Sequence, residues 1–174
     1  GYQIDRVSVN FSILEFRRKE FCKDVMDIIR QNEIPYEKVA IELTESWNET
    51  EFDNIKNTIT SLQKLGIKFY LDDFGTGNSS LSLALELPFD ELKVDMSFIR
   101  DIKQKPQNQA MVQSIVDYAR RTNTETCIEG IEDKEVSDYI EKFGSTWQQG
   151  YYYSKPVPIE QFEEVLREKA TEKE

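Results

Sequence analysis

Residues 71–81 read LDDFGTGNSSL. Two adjacent aspartates, Asp72 and Asp73, close an apolar run, and a Gly-Thr-Gly turn (Gly75, Thr76, Gly77) opens behind them. Like charges side by side are unfavourable unless a cation or solvent compensates them. Other polar residues fall at comparable places, near the C-terminal ends of successive β-rich runs: Asn10, Glu42, Lys93 with Asp95, Glu129 and Gln149. Oxygen donors without histidine or paired cysteine suit Mg2+ or Mn2+, and Ca2+ less well. Two such ions about 3.5–4 Å apart clamp the attacking and leaving oxygens of a phosphoester, and a bound ion acidifies water. Lys93 is the odd cation in this acidic set. It either holds a nucleophilic water and offsets phosphate charge, or simply pairs with Asp95 or Asp73. Taken singly, each residue reads as a solvated loop residue or helix cap. Taken together they point to metal-dependent phosphoester hydrolysis.

The elements that must position these groups alternate in type. Strands are expected at 5–10, 39–44, 67–72, 91–95, 125–131 and 146–152. Helices are expected at 17–32 (Phe21, Val25, Ile28 and Ile29 on one face), along the run Phe52–Leu65 stopped by Gly66, and at 80–87, 109–122, 133–143 and 159–170. Thr50 with Asp53 resembles a capping box. Six β–α units at this spacing imply a parallel sheet, as an open doubly wound fold or a barrel. Parallel strands buried on both faces are apolar throughout. These alternate instead: Val7 and Val9 bracket Ser8, Ile41 and Leu43 flank Glu42, Leu92 and Val94 flank Lys93. The polar residues then share one face, which in a barrel is the lumen, with its active-site mouth at the strand C-termini. A complete barrel needs eight units, and this chain shows six.

Composition excludes several functions. The 174 residues suit one domain with a real core. A net charge of -11 argues against non-specific DNA or RNA binding. Absent histidine removes serine–histidine triads and histidine metal sites. Cys22 and Cys127 form no CxxC pair and read as reduced, partly buried thiols of a cytoplasmic protein. No apolar run reaches a membrane span, no signal peptide is visible, and the first residue is Gly1, as in a fragment.

At this point the residues resemble a known family. SVNFS (8–12), ELTES (42–46), LDDFGTGNSSL (71–81), LPFDELKVD (87–95), IEGIE (128–132) and QGYYYSKPVP (149–158) are similar to the ordered motifs of EAL-domain cyclic di-GMP phosphodiesterases. The resemblance runs from residue 5 to 166, and so many motifs in order make it specific. It implies an α/β, TIM-like barrel that uses Mg2+ or Mn2+ to open cyclic di-GMP to linear pGpG. It implies Asn10, Glu42 and Asp72 as metal ligands, with Asp73 serving a second ion. Lys93 would contact the catalytic water, Glu129 would be a general base or metal-site partner, and Gln149 would order the site. Glu45 would anchor the Gly75–Thr76–Gly77 loop, with Asp95 and Glu132 as close supporters.

Two departures qualify it. The Glu-Ala-Leu motif is absent, and Ala84-Leu85-Glu86 is not it. The chain therefore reads as the part of such a domain after its first two β–α units, short of one glutamate ligand, binding metal poorly on its own and leaving two parallel edges unpaired. Asn78 stands where the family loop has an aromatic, which puts loop-mediated homodimer contacts in doubt. A parent signalling protein with upstream sensory or GGDEF-type domains, membrane-tethered or not, fits this reading. The alternative is a non-catalytic cyclic di-GMP receptor or regulatory domain.

Overall fold

The computed structural model describes residues 4–44, 52–77 and 80–171. Six strands, β1 (Val7–Phe11), β2 (Val39–Leu43), β3 (Lys68–Phe74), β4 (Glu91–Val94), β5 (Glu125–Ile128) and β6 (Trp147–Gln148), form one parallel sheet in sequence order. Helices α1 (Ile13–Phe16), α2 (Phe21–Gln31), α3 (Phe52–Gln63), α4 (Ser80–Glu86), α5 (Pro106–Thr122) and α6 (Lys134–Ile140) connect them, and α7 (Ile159–Thr171) follows β6. This is the TIM-like α/β arrangement, left open: β1 and β6 lie at opposite edges and do not pair with each other.

Alternation along the strands sets the two faces. Ile41, Leu43, Phe69, Leu71, Leu92, Val94 and Ile128 are fully buried against the helices. The helices answer with Phe21, Val25 and Ile29 of α2, Ile55, Ile59 and Leu62 of α3, and Val112, Ile115, Val116 and Ala119 of α5. The opposite face carries Glu42, Tyr70, Glu91, Lys93 and Cys127, which line the lumen. Both cysteines are free thiols, and burial pushes each above its ordinary value.

Several boundaries differ from expectation for physical reasons. The helix expected at 17–32 starts later, as α2 at Phe21, and a separate short helix, α1, precedes it. Ser12 and Glu15 form a capping box, Ser12 N donating to Glu15 Oε2 (3.0 Å) and Glu15 N to Ser12 Oγ (3.3 Å), which starts α1 early. In one continuous helix, Phe16 and Phe21 would sit about 140° apart. The break between α1 and α2 lets both enter the core, their rings 4.8 Å apart. Ile28 stays exposed and lies beside β1 in an apolar groove of about 690 Å³, with Val7, Val9, Phe11 and Ile34. Helix α5 begins at Pro106 rather than 109, because proline is preorganised for the first helical position. Strands β5 and β6 end earlier than expected, but bonding between their chains continues irregularly, Ile131 N to Gln149 O (3.1 Å) and Tyr152 N to Ile131 O (3.0 Å). The Thr50 capping box lies outside the described residues.

Candidate metal centre at the strand C-termini

Neighbouring residues of a regular strand face opposite sides, so Asp72 and Asp73 should not meet at one mouth. They do, because β3 is bulged. Its register with β4 shifts between Leu71 and Phe74, and Asp73 takes a left-handed backbone with φ 52°. For a residue with a Cβ, that conformation costs on the order of 1 kcal/mol. As a result, one carboxylate oxygen each from Asp72, Asp73 and Glu129 lie within 4.8 Å of one another. Thr76 closes the turn behind them, its N and Oγ1 both donating to Asp73 O (3.2 and 3.0 Å).

Lys93 stands at the hub. Its Nζ lies 2.8 Å from Glu42 Oε2, 2.9 Å from Asp72 Oδ1 and 2.8 Å from Glu129 Oε1. Three carboxylates satisfy its three donors. Its partners are therefore neither Asp95 nor Asp73. Burial alone would depress the ammonium, but the hydrogen bonds to Glu129 and Glu42 more than offset it, and the net shift is upward. Burial raises the Glu129 carboxyl, which Lys93 partly counters. Asp73 is also pushed up, by burial first and then by the charges of Asp72 and Asp95. Gln149 Nε2 donates to Glu129 Oε1 at 3.3 Å.

The other expected residues fall around this hub. Asn10 is exposed on β1, in register with Glu42 of β2. Glu42 is buried, and its carboxylate is committed to Lys93. Asp95 caps the turn after β4, accepting from Ser97 N at 2.9 Å. With Asp73, Met96, Glu129, Glu132 and Tyr151 it lines a cavity of about 320 Å³. Glu45 and Asn78 lie outside the described residues, while Gly75, Thr76 and Gly77 follow β3 as expected. Two lining residues, Met96 and Tyr151, are not among those the sequence alone marks as candidates. Tyr151 sits inside the QGYYYSKPVP motif, but a methionine next to an aspartate carries no such signal. The donor set fits a hard divalent cation: Glu42, Asp72 and Glu129 share the Lys93 ammonium, an oxygen of Asp73 lies within 4.8 Å of oxygens of Asp72 and Glu129, and each of these groups offers oxygen.

Glu91 lies deeper in the lumen, 5% exposed, its carboxyl raised to about 7 by burial and then by the Glu125 charge. A raised acid binds more protons folded than unfolded. It stabilises below its ordinary carboxylate range, and that contribution is lost as pH rises toward 7. Glu91→Gln should therefore stabilise the chain at pH 8 by on the order of 2 kcal/mol, discounted for the open lumen, and should change little at pH 4. Urea midpoints at the two pH values measure this. Equal shifts at both would remove titration as the cause.

The chain is similar to known proteins in both sequence and fold. A family model described as EAL domain matches residues 2–156. The Bacillus subtilis signaling protein YkoW is 31% identical over 172 residues, 99% of this chain and 21% of its own length. The Escherichia coli cyclic di-GMP phosphodiesterase PdeR is 33% identical over 158 residues, 91% of this chain and 24% of its own. The chain thus spans about a fifth to a quarter of the length of these relatives. Among solved structures, the EAL domain of Mycobacterium smegmatis DcpA superposes with TM-score 0.87 at 28% identity, covering 94% of this chain and 73% of that one. A manganese and cyclic di-GMP complex of Klebsiella pneumoniae BlrP1 superposes with TM-score 0.80 at 29% identity, covering 87% and 39%.

Proposed function

The chain belongs to the EAL-domain family, and on that premise we propose that its carboxylate hub serves the hydrolysis of cyclic di-GMP to linear pGpG. The observation that carries this reading is the β3 bulge, which brings oxygens of Asp72, Asp73 and Glu129 within 4.8 Å of one another beside Lys93. Asn10, Glu42, Asp72 and Asp73 would hold Mg2+ or Mn2+, with two ions in the complete site. Such an ion, when bound, supplies Lewis acidity to a phosphoryl oxygen and lowers the pKa of a water.

The side chains have distinct work. Lys93, whose three donors are met by Glu42, Asp72 and Glu129 in the ion-free chain, would release one of them to contact the attacking water, and its charge, kept at every physiological pH, would offset charge building on the phosphoryl oxygens. Glu129 accepts the proton that this water loses as its oxygen bonds to phosphorus. Gln149, donating to Glu129, fixes that carboxylate's orientation. The phosphorus–oxygen bond to the ribose breaks, the departing ribose oxygen takes up a proton from solvent at the open mouth and becomes a hydroxyl, and the ring opens to a linear dinucleotide ending in a phosphate. Asp95 and Glu132 shape the cavity wall where one end of the substrate rests. Glu45 would tether the loop of Gly75, Thr76 and Gly77.

Incubation of the chain with cyclic di-GMP and Mg2+ or Mn2+, followed by chromatography for pGpG, tests the reading. Turnover supports it. Binding in Ca2+ without turnover in either activating ion would replace it with the receptor reading, and neither binding nor turnover would overturn both. We further propose a cytoplasmic regulatory context, with sensory or GGDEF-type domains and homodimerisation setting the activity. No helix among the described residues is long and apolar enough to cross a membrane.

A further inference from the structure

Two glycines follow the candidate ion-binding carboxylates at short range, and both take left-handed backbone. Gly75 (φ 98°) comes two residues after Asp73, and Gly130 (φ 74°) directly follows Glu129. Both press on the same short turn, Met96–Phe98, which leaves β4 just beyond Lys93. A Cβ on Gly75 would lie 2.8 Å from Phe98 Cε2. A Cβ on Gly130 would collide with Met96 Cβ. The turn therefore fills the space between the exits of β3 and β5, with no room for another atom on either side.

The turn is itself held firmly. Asp95 caps it through Ser97 N (2.9 Å), and Phe98 N donates to Asp95 O (3.1 Å). Asn108 of α5 donates through Nδ2 to Phe98 O at 2.9 Å, tying the turn to the core helix. Phe98 packs against the core, and Met96 also lines the cavity beside Asp73 and Glu129.

We propose that the Met96–Phe98 turn is a positioning wedge: Phe98 against Gly75 holds the bulged aspartates, Met96 against Gly130 holds Glu129, and the wedge thereby sets the spacing of the three carboxylates. The inference rests on reading those carboxylates as the ion site, but not on the identity of the substrate. It gives the strained Asp73 backbone a physical support. A left-handed non-glycine residue persists only where its surroundings over-determine it, and the Phe98 ring against Gly75 supplies that restraint from behind.

The test compares Phe98→Ala, Phe98→Tyr and the distant core variant Ile115→Ala. It reads amide exchange by segment and Mn2+ binding by electron paramagnetic resonance. Phe98→Ala should speed exchange at Gly75–Gly77 about 10-fold beyond any global change, and should raise the Mn2+ dissociation constant by about 10–100-fold, the range for residues that orient ligands. Phe98→Tyr, which keeps the ring, should restore both. Ile115→Ala should lower the melting temperature yet leave Mn2+ affinity within twofold. Unchanged local exchange in Phe98→Ala overturns the wedge, as does acceleration spread evenly over the chain. If the unmodified chain takes up no Mn2+, the exchange pattern alone decides. Mn2+ uptake that depends on Phe98, without cyclic di-GMP turnover, sustains the wedge and sinks the hydrolase reading.

Discussion

Asp72→Asn should reduce pGpG formation on the order of 10³-fold while leaving the fold as stable as before or slightly more so. The amide keeps the shape and can still accept from Lys93 Nζ, now 2.9 Å from Asp72 Oδ1. What it removes is one negative charge from the three carboxylates gathered within 4.8 Å. Without an ion that charge is a burden: it is the second cause, after burial, of the raised Asp73 carboxyl. Its removal relieves repulsion in the ion-free chain and takes away an ion ligand at the same time. Steady-state rates across a Mn2+ titration, read beside thermal melts with and without Mn2+, separate the two effects. Wild-type turnover in Asp72→Asn would end the assignment of Asp72 as a ligand. Loss of turnover together with a large drop in melting temperature would mean that Asp72 matters to the fold and not to the ion.

The sequence already contained the acidic strand end, but not the means by which both aspartates reach one mouth. Period-two alternation predicts that Asp72 faces the lumen and Asp73 the helices. The bulge reverses this for Asp73, and Phe74 then pairs in register with Val94 and enters the core. Alternation did reveal which residues line the lumen, because Glu42 and Lys93 sit between pairs of aliphatics and a strand permits only two directions. It could not reveal who pairs with whom. Asp95 and Asp73 are the near partners for Lys93 by sequence, whereas the sheet brings Glu42 to it from β2 and Glu129 from just past the end of β5. Contacts between strands depend on register, which local pattern does not encode. Ser12 and Glu15 show the opposite case. Their capping box is local and visible in the residues, yet the apolar spacing of Phe21, Val25 and Ile29 draws the expected helix start to residue 17, past the capped turn of α1 and ahead of the true start of α2. The wedge was the least legible feature. Gly75 and Gly130 appear in separate motifs, and only the fold brings both against one turn.

Lys93→Met should cost about 3–5 kcal/mol of stability at pH 7.5, the range for breaking a buried ion pair by removing one partner. For a chain of this length that is a fall in melting temperature of roughly 10 °C. Methionine matches the stem but leaves the buried Glu42 carboxylate and the partly buried Asp72 and Glu129 without their cation. The pH dependence identifies the cause. In the native chain the Lys93 ammonium is raised, so its contribution is complete at neutral pH and is lost only in strong alkali. In the variant, Glu129, already pushed upward by burial, loses the lysine that countered the shift. A carboxyl raised further holds its proton over a wider range, so the variant should regain stability as pH falls from neutral toward the ordinary carboxylate range. A deficit that stays constant between pH 7.5 and pH 5 would point to lost packing instead of unpaired charge. Added Mn2+ supplies a second check. If the carboxylates form an ion site, a divalent cation can take over part of the ammonium's electrostatic work, and Mn2+ should raise the melting temperature of Lys93→Met more than that of the native chain, although turnover stays abolished. An equal or smaller rise would show that Lys93 and the ion do not share these carboxylates, and the water-holding role proposed for Lys93 beside the ion would fail with it.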